Sequence, residues 1–151
     1  MLLATTGCGA QPAHAVGDLQ TLAKINGYRE GMTLPPHTFS VLEVAYDAQA
    51  AQQMWEQNVP GDLPERSGSP SNPGRYGDLT DLDFDLQAVA LWSSGESGSC
   101  PGWVSRIAME DGDVVVTEDD DSGPGGACTA DYNAYRVLVV VDRATCPPRK
   151  R

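Results

Sequence analysis

Alternation of apolar and polar residues predicts a domain built mainly of β-strands. Residues 39–46 alternate well, and Leu42, Val44 and Tyr46 make one face apolar, which predicts a half-buried strand. The nearly continuous apolar run at 86–92 is typical of a central strand. Residues 136–141 are dominated by β-branched side chains and give the strongest strand prediction in the chain.

Residues typical of turns predict the boundaries of the remaining strands. Strands are predicted at 103–109 and 114–117, joined as a hairpin through the turn dipeptide Asp111-Gly112. Residues 19–25 fit either a short helix capped by Asp18 or a strand closed by Asn26-Gly27, and the strand is favoured.

One helix and several loops complete the prediction. Asp47 is expected to cap a helix that ends near Asn58 and turns Ala51, Met54 and Trp55 towards the sheet. Breaker-rich residues predict a surface loop at 60–77, a break at 95–98 and a loop at 119–127.

The order of elements predicts the fold class. It lacks the βαβ alternation of a parallel nucleotide-binding sheet. We expect a mostly β (α+β) domain, an antiparallel β sandwich or barrel-like domain with one packed helix. A single domain is predicted at 18–146, preceded by a signal-peptide remnant and tether at 1–17 and followed by a basic tail at 147–151.

Composition agrees with one small folded domain. The chain has 151 residues, 40% of them hydrophobic, with 16 glycines and 11 prolines, which suits a loop-rich β domain. The sequence has no apolar run long enough to predict a membrane-spanning helix.

The N-terminus resembles the end of a bacterial lipoprotein signal peptide. A short apolar stretch leads to Gly7-Cys8, and in such signals a small residue precedes the cysteine that takes the lipid. Thr5 stands where these signals usually have Leu, and the charged leader is absent. The resemblance implies lipidation of Cys8 and an extracytoplasmic protein anchored to the cell membrane. The alternative is an accidental match in a disordered N-terminus.

The negative charge is concentrated in one stretch of the sequence. The net charge is −11, and residues 78–121 hold twelve acidic residues and one basic residue. Such a chain would repel the phosphates of nucleic acid, so no nucleic-acid partner is expected. The stretch can serve solubility, a cation or a basic partner. Residues 81–85 and 119–123 are the calcium candidates, but neither has the EF-hand spacing.

Chain order predicts one disulfide. A hairpin returns the chain after 117 to the level of Cys100, and Cys128 follows the next loop at that same end. Cys146 lies beyond another strand, roughly 23 Å away, whereas a disulfide needs Cα atoms within about 7 Å. We therefore expect a Cys100–Cys128 bond with Cys146 left over. Without a C-x-x-C pair, a zinc site is not expected.

No pattern of residues predicts catalysis. The two histidines, His14 and His37, fall in the tether and on the surface. Residues 95–98 lack the Gly-x-Ser-x-Gly nucleophile elbow, and no phosphate loop or dinucleotide fingerprint occurs. Trp55, Trp92 and Trp103 are interpreted as packing residues. No catalytic residue, metal or cofactor is predicted.

The C-terminal part resembles a known type of binding domain. The segment LDFDLQAVAL (82–91), followed by a Gly-rich break, Trp103 and a hairpin, resembles the C-terminal domain of bacterial PrcB-type proteins. SCPGW (99–103) replaces that family's glycine-rich turn, and together with CTADY (128–132) it resembles uncharacterised actinobacterial lipoproteins. The resemblance covers about 38–143 and implies a protein that stabilises a partner protein.

These observations lead to three functional hypotheses. The favoured one is a non-catalytic extracytoplasmic lipoprotein that binds or stabilises an unknown protein partner. The alternatives are a small secreted hydrolase and a calcium-dependent structural domain.

Overall fold

The computed structural model of the chain describes residues 19–28, 40–111, 113–122 and 125–143. Cys8, Cys146, both histidines, and the expected tether and basic tail lie outside these ranges. The elements are the strands β1 (Thr21–Asn26), β2 (Val41–Ala45), β3 (Gly74–Arg75), β4 (Gln87–Glu96), β5 (Gly102–Glu110), β6 (Asp113–Asp120) and β7 (Asn133–Asp142), and the helix α1 (Ala48–Asn58).

The strands form two antiparallel sheets. The larger has the order β2-β4-β7-β1-β3, and the smaller consists of β5 and β6. The strand expected to be strongest, β7, lies at the centre of the larger sheet, where its side chains from Arg136 to Val141 are buried. The predicted fold class, mostly antiparallel β with one packed helix, is confirmed.

Each face of the larger sheet carries its own apolar core. On one face, Ala51 of α1 packs with Leu91 and Leu138, and Met54 and Trp55 cover this cluster. On the other face, Val104 and Ile107 of β5 pack against the sheet. The domain is therefore layered as helix, sheet and hairpin.

Local sequence signals explain the helix and the hairpin. The Asp47 carboxylate accepts a hydrogen bond from Ala50 N–H at 2.8 Å, which caps α1 at the predicted residue. Asp111 has a φ of 51°, as expected in the Asp-Gly turn of a two-residue hairpin. The segment predicted at 19–25 forms the strand β1 at Thr21–Asn26 rather than a helix, as favoured, although residues 19 and 20 lie outside the strand. Among the described residues, no helix is long and apolar enough to cross a membrane.

Three predicted boundaries are wrong. The predicted loop at 60–77 contains β3, which pairs with two residues at the edge of β1. β4 continues through Gly95 to Glu96 instead of breaking at Gly95, because the Tyr132 ring covers the missing side chain; a Cβ there would lie 1.9 Å from Tyr132 Cζ. β6 likewise runs into the predicted 119–127 loop, since it pairs with β5 as far as Asp120.

Candidate protein-interaction site

The outer edge of β6 is an unpaired strand edge in the described part of the chain. β6 has eight residues and pairs with β5 along its length. Within the described ranges, no strand pairs with its other edge. An unpaired edge presents free backbone N–H and C=O groups that can accept another strand.

The hairpin register identifies which groups face outwards. A two-residue turn makes Glu110 and Asp113 a hydrogen-bonded pair, so odd-numbered residues of β6 point their backbone groups towards β5. Two further contacts agree: Thr117 C=O accepts a hydrogen bond from Ser105, and Asp121 N–H donates to Pro101. The even-numbered residues therefore direct their backbone groups away from β5. These residues are Val114, Val116, Glu118 and Asp120.

The side chains of β6 divide between the core and solvent. Val116 packs against the core, and Glu118 reaches the larger sheet. Thr117 and Asp119, on the alternate face, are exposed. One face of β6 therefore packs against the rest of the domain, while its unpaired edge and its opposite face stay accessible.

Glu118 fixes the acidic end of β6. Its carboxylate Oε1 accepts a hydrogen bond from the Tyr135 hydroxyl and another from Trp92 Nε1 at 3.0 Å. Tyr135 is 1% exposed. Burial raises the pKa of Tyr135 well above its ordinary value, and the adjacent Glu118 carboxylate raises it further. The phenol therefore stays protonated and acts as a donor.

A buried ion pair holds the strands beneath this end together. Lys24 is fully buried, and its Nζ donates to Glu96 Oε2 at 2.6 Å and to the carbonyls of Ser71 and Gly102 at 2.7 Å. Nζ also lies 4.8 Å from the centre of the Tyr135 ring, within range of a cation–π contact. Burial lowers the pKa of Lys24, and the hydrogen bond and charge of Glu96 oppose that shift. All three ammonium donors are used, which marks Lys24 as a structural link.

Glu96 extends this link to the hairpin. Its Oε2 accepts a second hydrogen bond from Gly102 N–H at 2.7 Å, at the first residue of β5. Gly102 is paired with Asp120 across the hairpin. The position of the β6 end is thus set by the end of β4.

A disulfide closes the same end of the domain. The Sγ atoms of Cys100 and Cys128 are 2.01 Å apart and the Cα atoms 5.6 Å apart, so the predicted pairing is present. The hairpin is only part of the reason. Cys100 follows the end of β4 and Cys128 precedes the start of β7, and these two strands are antiparallel neighbours.

Hydrogen bonds secure the loop that follows Cys128. Asp131 accepts from the Thr129 hydroxyl, from Asn133 Nδ2 at 2.6 Å and from Gly98 N–H at 3.2 Å. These bonds lower the pKa of Asp131, the Thr129 hydroxyl having the largest effect. The loop is therefore attached to residues 97–100 by both a covalent bond and hydrogen bonds.

The carboxylates of this end surround a shallow cleft without forming a metal site. The cleft has a volume of about 210 Å³, and its lining includes Glu96, Glu118, Asp119, Asp120 and Tyr135. In the described ranges, no three His, Cys, Asp or Glu side chains are grouped so that they could hold a metal ion. The calcium candidate at 81–85 forms turns rather than an extended segment, and Asp83 accepts a hydrogen bond from Asp85 N–H.

The acidic stretch is divided in space. Asp78, Asp81, Asp83 and Asp85 precede β4, whereas Glu118 and the aspartates of the β6 end lie beside Glu96, where β4 ends. A ten-residue strand spans roughly 33 Å. The acidic residues that are concentrated in one stretch of the sequence are therefore spread over separate regions of the domain, and the β6 end is one of them.

Sequence reasoning found some residues of this site and missed others. It predicted the disulfide and the hairpin. It did not predict roles for Lys24, Glu96 or Glu118, because these residues come together only through tertiary packing. Trp55 packs on the helix side as predicted, and Trp92 both packs on the hairpin side and donates to Glu118.

Comparisons with protein-family profiles, with curated proteins and with solved structures find no match to this chain.

Proposed function

We propose that this protein is a non-catalytic extracytoplasmic binding module that accepts an extended, basic segment of a partner protein along the edge of β6. The unpaired edge, ending in the acidic residues Glu118, Asp119, Asp120 and Asp121, is the observation that carries the proposal. Strand addition of this kind takes its affinity from main-chain hydrogen bonds and its selectivity from side chains.

The composition of β6 suits this role. Its Val114-Val115-Val116-Thr117 run is β-branched and favours an extended backbone. Edge strands are commonly protected by lysine or proline, and β6 contains neither. Its acidic end disfavours pairing with a second copy of the same strand, because like charges repel, and favours lysine and arginine side chains.

The rigidity of the acidic end supports the proposal as well. The Lys24–Glu96 pair, the Tyr135–Glu118 hydrogen bond and the disulfide all fix β6 before a partner arrives. A preorganised edge loses little conformational entropy on binding. The resemblance to PrcB-type proteins, which stabilise a partner protein, agrees with such a role.

Lipidation of Cys8 belongs to the same proposal. A lipid anchor would hold the domain at the outer surface of the cell membrane, where a disulfide persists. Residues between Cys8 and β1 are small and polar at positions 11–17, as expected of a flexible tether.

Site-specific cross-linking tests the binding surface. A photo-reactive amino acid at Thr117 would sit on the exposed face of β6, and one at Gln53 would sit on the exposed side of α1 as the control. Irradiation in the cell envelope should cross-link a partner from 117 and not from 53. The partner's cross-linked peptide should be rich in lysine or arginine.

A matched pair of variants sharpens this test. Val114→Pro removes one outward N–H without removing a ladder bond to β5, and Val114→Thr keeps it. Cross-linking from 117 should fall in Val114→Pro and persist in Val114→Thr. The proposal would be contradicted if the partner were cross-linked equally from position 53 and position 117, or if the cross-linked segment of the partner had no basic residues.

A further inference from the structure

A second cleft lies on another part of the surface. Its volume is about 520 Å³, within the range of about 300–1,000 Å³ found for small-molecule sites. It is bounded by residues 66–70, by Tyr76, by Leu19 before β1, by Thr21 at the start of β1, and by Trp103 of β5. None of these residues lines the acidic cleft at the end of β6.

Thr21 brings an unsatisfied hydroxyl to this cleft. The residue is 6% exposed, and its Oγ1 is buried without a hydrogen-bond partner among the described groups. Buried polar groups are nearly always hydrogen-bonded. The Thr21 hydroxyl therefore keeps an unused hydrogen-bonding capacity, which a water molecule or a ligand that reaches it from the cleft would satisfy.

Arg66 is the only charged residue among the described residues that line the cleft, and its side chain is held in place. Arg66 Nε donates to Pro73 C=O at 2.6 Å, and its methylene groups pass over Gly74, where a Cβ would lie 2.6 Å from Arg66 Cδ. No described carboxylate forms an ion pair with Arg66. The terminal nitrogens of the guanidinium are therefore available to a carboxylate, which they fit as a two-pronged donor.

Two aromatic side chains complete the site. Tyr76 and Trp103 are half-buried in the lining, and the Tyr76 hydroxyl donates to Asn72 C=O at 2.5 Å, which fixes its ring. Aromatic faces of this kind bind flat rings by offset or edge-to-face contact.

From this arrangement we propose that the cleft binds a carboxylate attached to an aromatic group, either a free small molecule or the carboxyl end of a chain. Arg66 pairs with the carboxylate, Tyr76 and Trp103 contact the ring, and Thr21 supplies a hydrogen bond. The inference does not depend on the β6 edge.

Titration with simple probes tests the site. Phenylacetate and N-acetylphenylalanine carry the proposed group, and phenylacetamide is the uncharged control. Calorimetry or ligand-observed NMR of the whole protein, to about 10 mM probe, should show saturable binding of the acids, since ligands of this size reach millimolar affinity. The amide should bind about tenfold more weakly, because it loses the ion pair.

Variants assign the contacts. Arg66→Gln should weaken binding of the acids about tenfold. The affinity of Arg66→Lys for the acids should lie between those of Arg66→Gln and the wild-type protein. Thr21→Val should weaken binding about fivefold while the melting temperature is unchanged or higher, because the hydroxyl is unsatisfied in the free protein. Ser93→Ala is the matched control, since Ser93 Oγ is also buried and unpartnered but lies outside the cleft.

The outcomes are distinct. Tighter binding of N-acetylphenylalanine than of phenylacetate would assign the cleft to a chain end, and the reverse order to a free small molecule. Equal binding of acid and amide, absence of saturable binding, or an equal effect of Ser93→Ala would overturn the proposal. Val114→Pro should leave these affinities unchanged, so this test is separate from that of the β6 edge.

Discussion

The ammonium group of Lys24 lies 2.6 Å from the carboxylate of Glu96, and the lysine side chain is completely buried. This pair joins β1 to the end of β4 and, through Gly102, to the start of β5. A charge at such a depth costs free energy unless it is paired and hydrogen-bonded. We therefore expect the Lys24–Glu96 ion pair to be needed to hold β5 and β6 in their positions.

The first prediction concerns Glu96. Glu96→Gln leaves the Lys24 charge buried without a counter-charge and should lower the free energy of unfolding by about 3 kcal/mol. Glu110→Gln is the control, because it removes an exposed partner of Arg106 and should change stability by less than about 0.5 kcal/mol. Chemical denaturation measures both. Similar values for the two variants would mean that the buried pair does not hold the strands.

The second prediction concerns the disulfide. Cys100 and Cys128 are separated by 28 residues, and opening a loop of that length should cost about 3–4 kcal/mol in the chain-entropy model. Cys128→Ser should therefore lower the melting temperature by several degrees. Peptide mapping without reduction should recover the two cysteine peptides linked and Cys146 alkylated. A linked peptide that contains Cys146 would contradict the pairing.

The third prediction concerns alkaline pH. The pKa of Tyr135 is raised above its ordinary 10.0, so above about pH 10 the unfolded chain loses a proton that the native protein keeps. The contribution of Tyr135 to stability should thus fall as the pH rises above that value. The lowered pKa of Lys24 acts in the opposite direction, with stability rising towards pH 10.5 and then levelling.

Tyr135→Phe separates these two effects. The variant keeps the ring over Lys24 and loses the hydrogen bond to Glu118, which should cost about 1.5 kcal/mol at neutral pH. Lys24 is present in both proteins, so the difference between their unfolding free energies isolates Tyr135. That difference should stay constant to about pH 9 and shrink progressively as the pH rises towards 11, because the tyrosine of the unfolded chain then ionises. A constant difference would show that the phenol has no raised pKa.

The fourth prediction concerns anchoring. If Cys8 carries lipid, the full chain expressed in its own host should partition into detergent, and Cys8→Ser should release it. A single acyl chain binds membranes only marginally, so the multi-chain lipid of a bacterial lipoprotein is required. Equal partitioning of the two forms would rule out this anchor.

Local patterns predicted the elements because each carries its own signal. Asp47 caps α1, Asp111 forms the hairpin turn, and β-branched residues place β7 at the centre of the sheet. The disulfide was predictable because the hairpin returns the chain to the level of Cys100, although the pairing of β4 with β7, which also brings the two cysteines together, was not predicted.

The buried polar contacts could not be predicted in this way. A lysine within a strand indicates a solvent-facing position, and a bulge between Thr21 and Ala23 shifts the alternation of β1. The partner of Lys24 is 72 residues away, so only the tertiary fold identifies Glu96. β3 was missed because its two residues are too few to show a periodic pattern.

The most direct test of the proposed function is hydrogen exchange at β6 in the presence of a strand-forming peptide. A peptide of alternating lysine and valine should protect the outward amides of Val114, Val116 and Glu118, and should leave Val115 unchanged because it is already paired with β5. The same peptide with glutamate in place of lysine should give little protection. Rising salt concentration should weaken binding of the lysine peptide, since exposed charges are screened beyond about 8–10 Å.

Val114→Pro should abolish this protection at Val116 and Glu118, and Val114→Thr should preserve it. Protection of the three outward amides by the basic peptide alone is the result expected from a β6 binding edge. Equal protection by both peptides, protection confined to other strands, or no protection at any concentration would contradict a binding edge at β6.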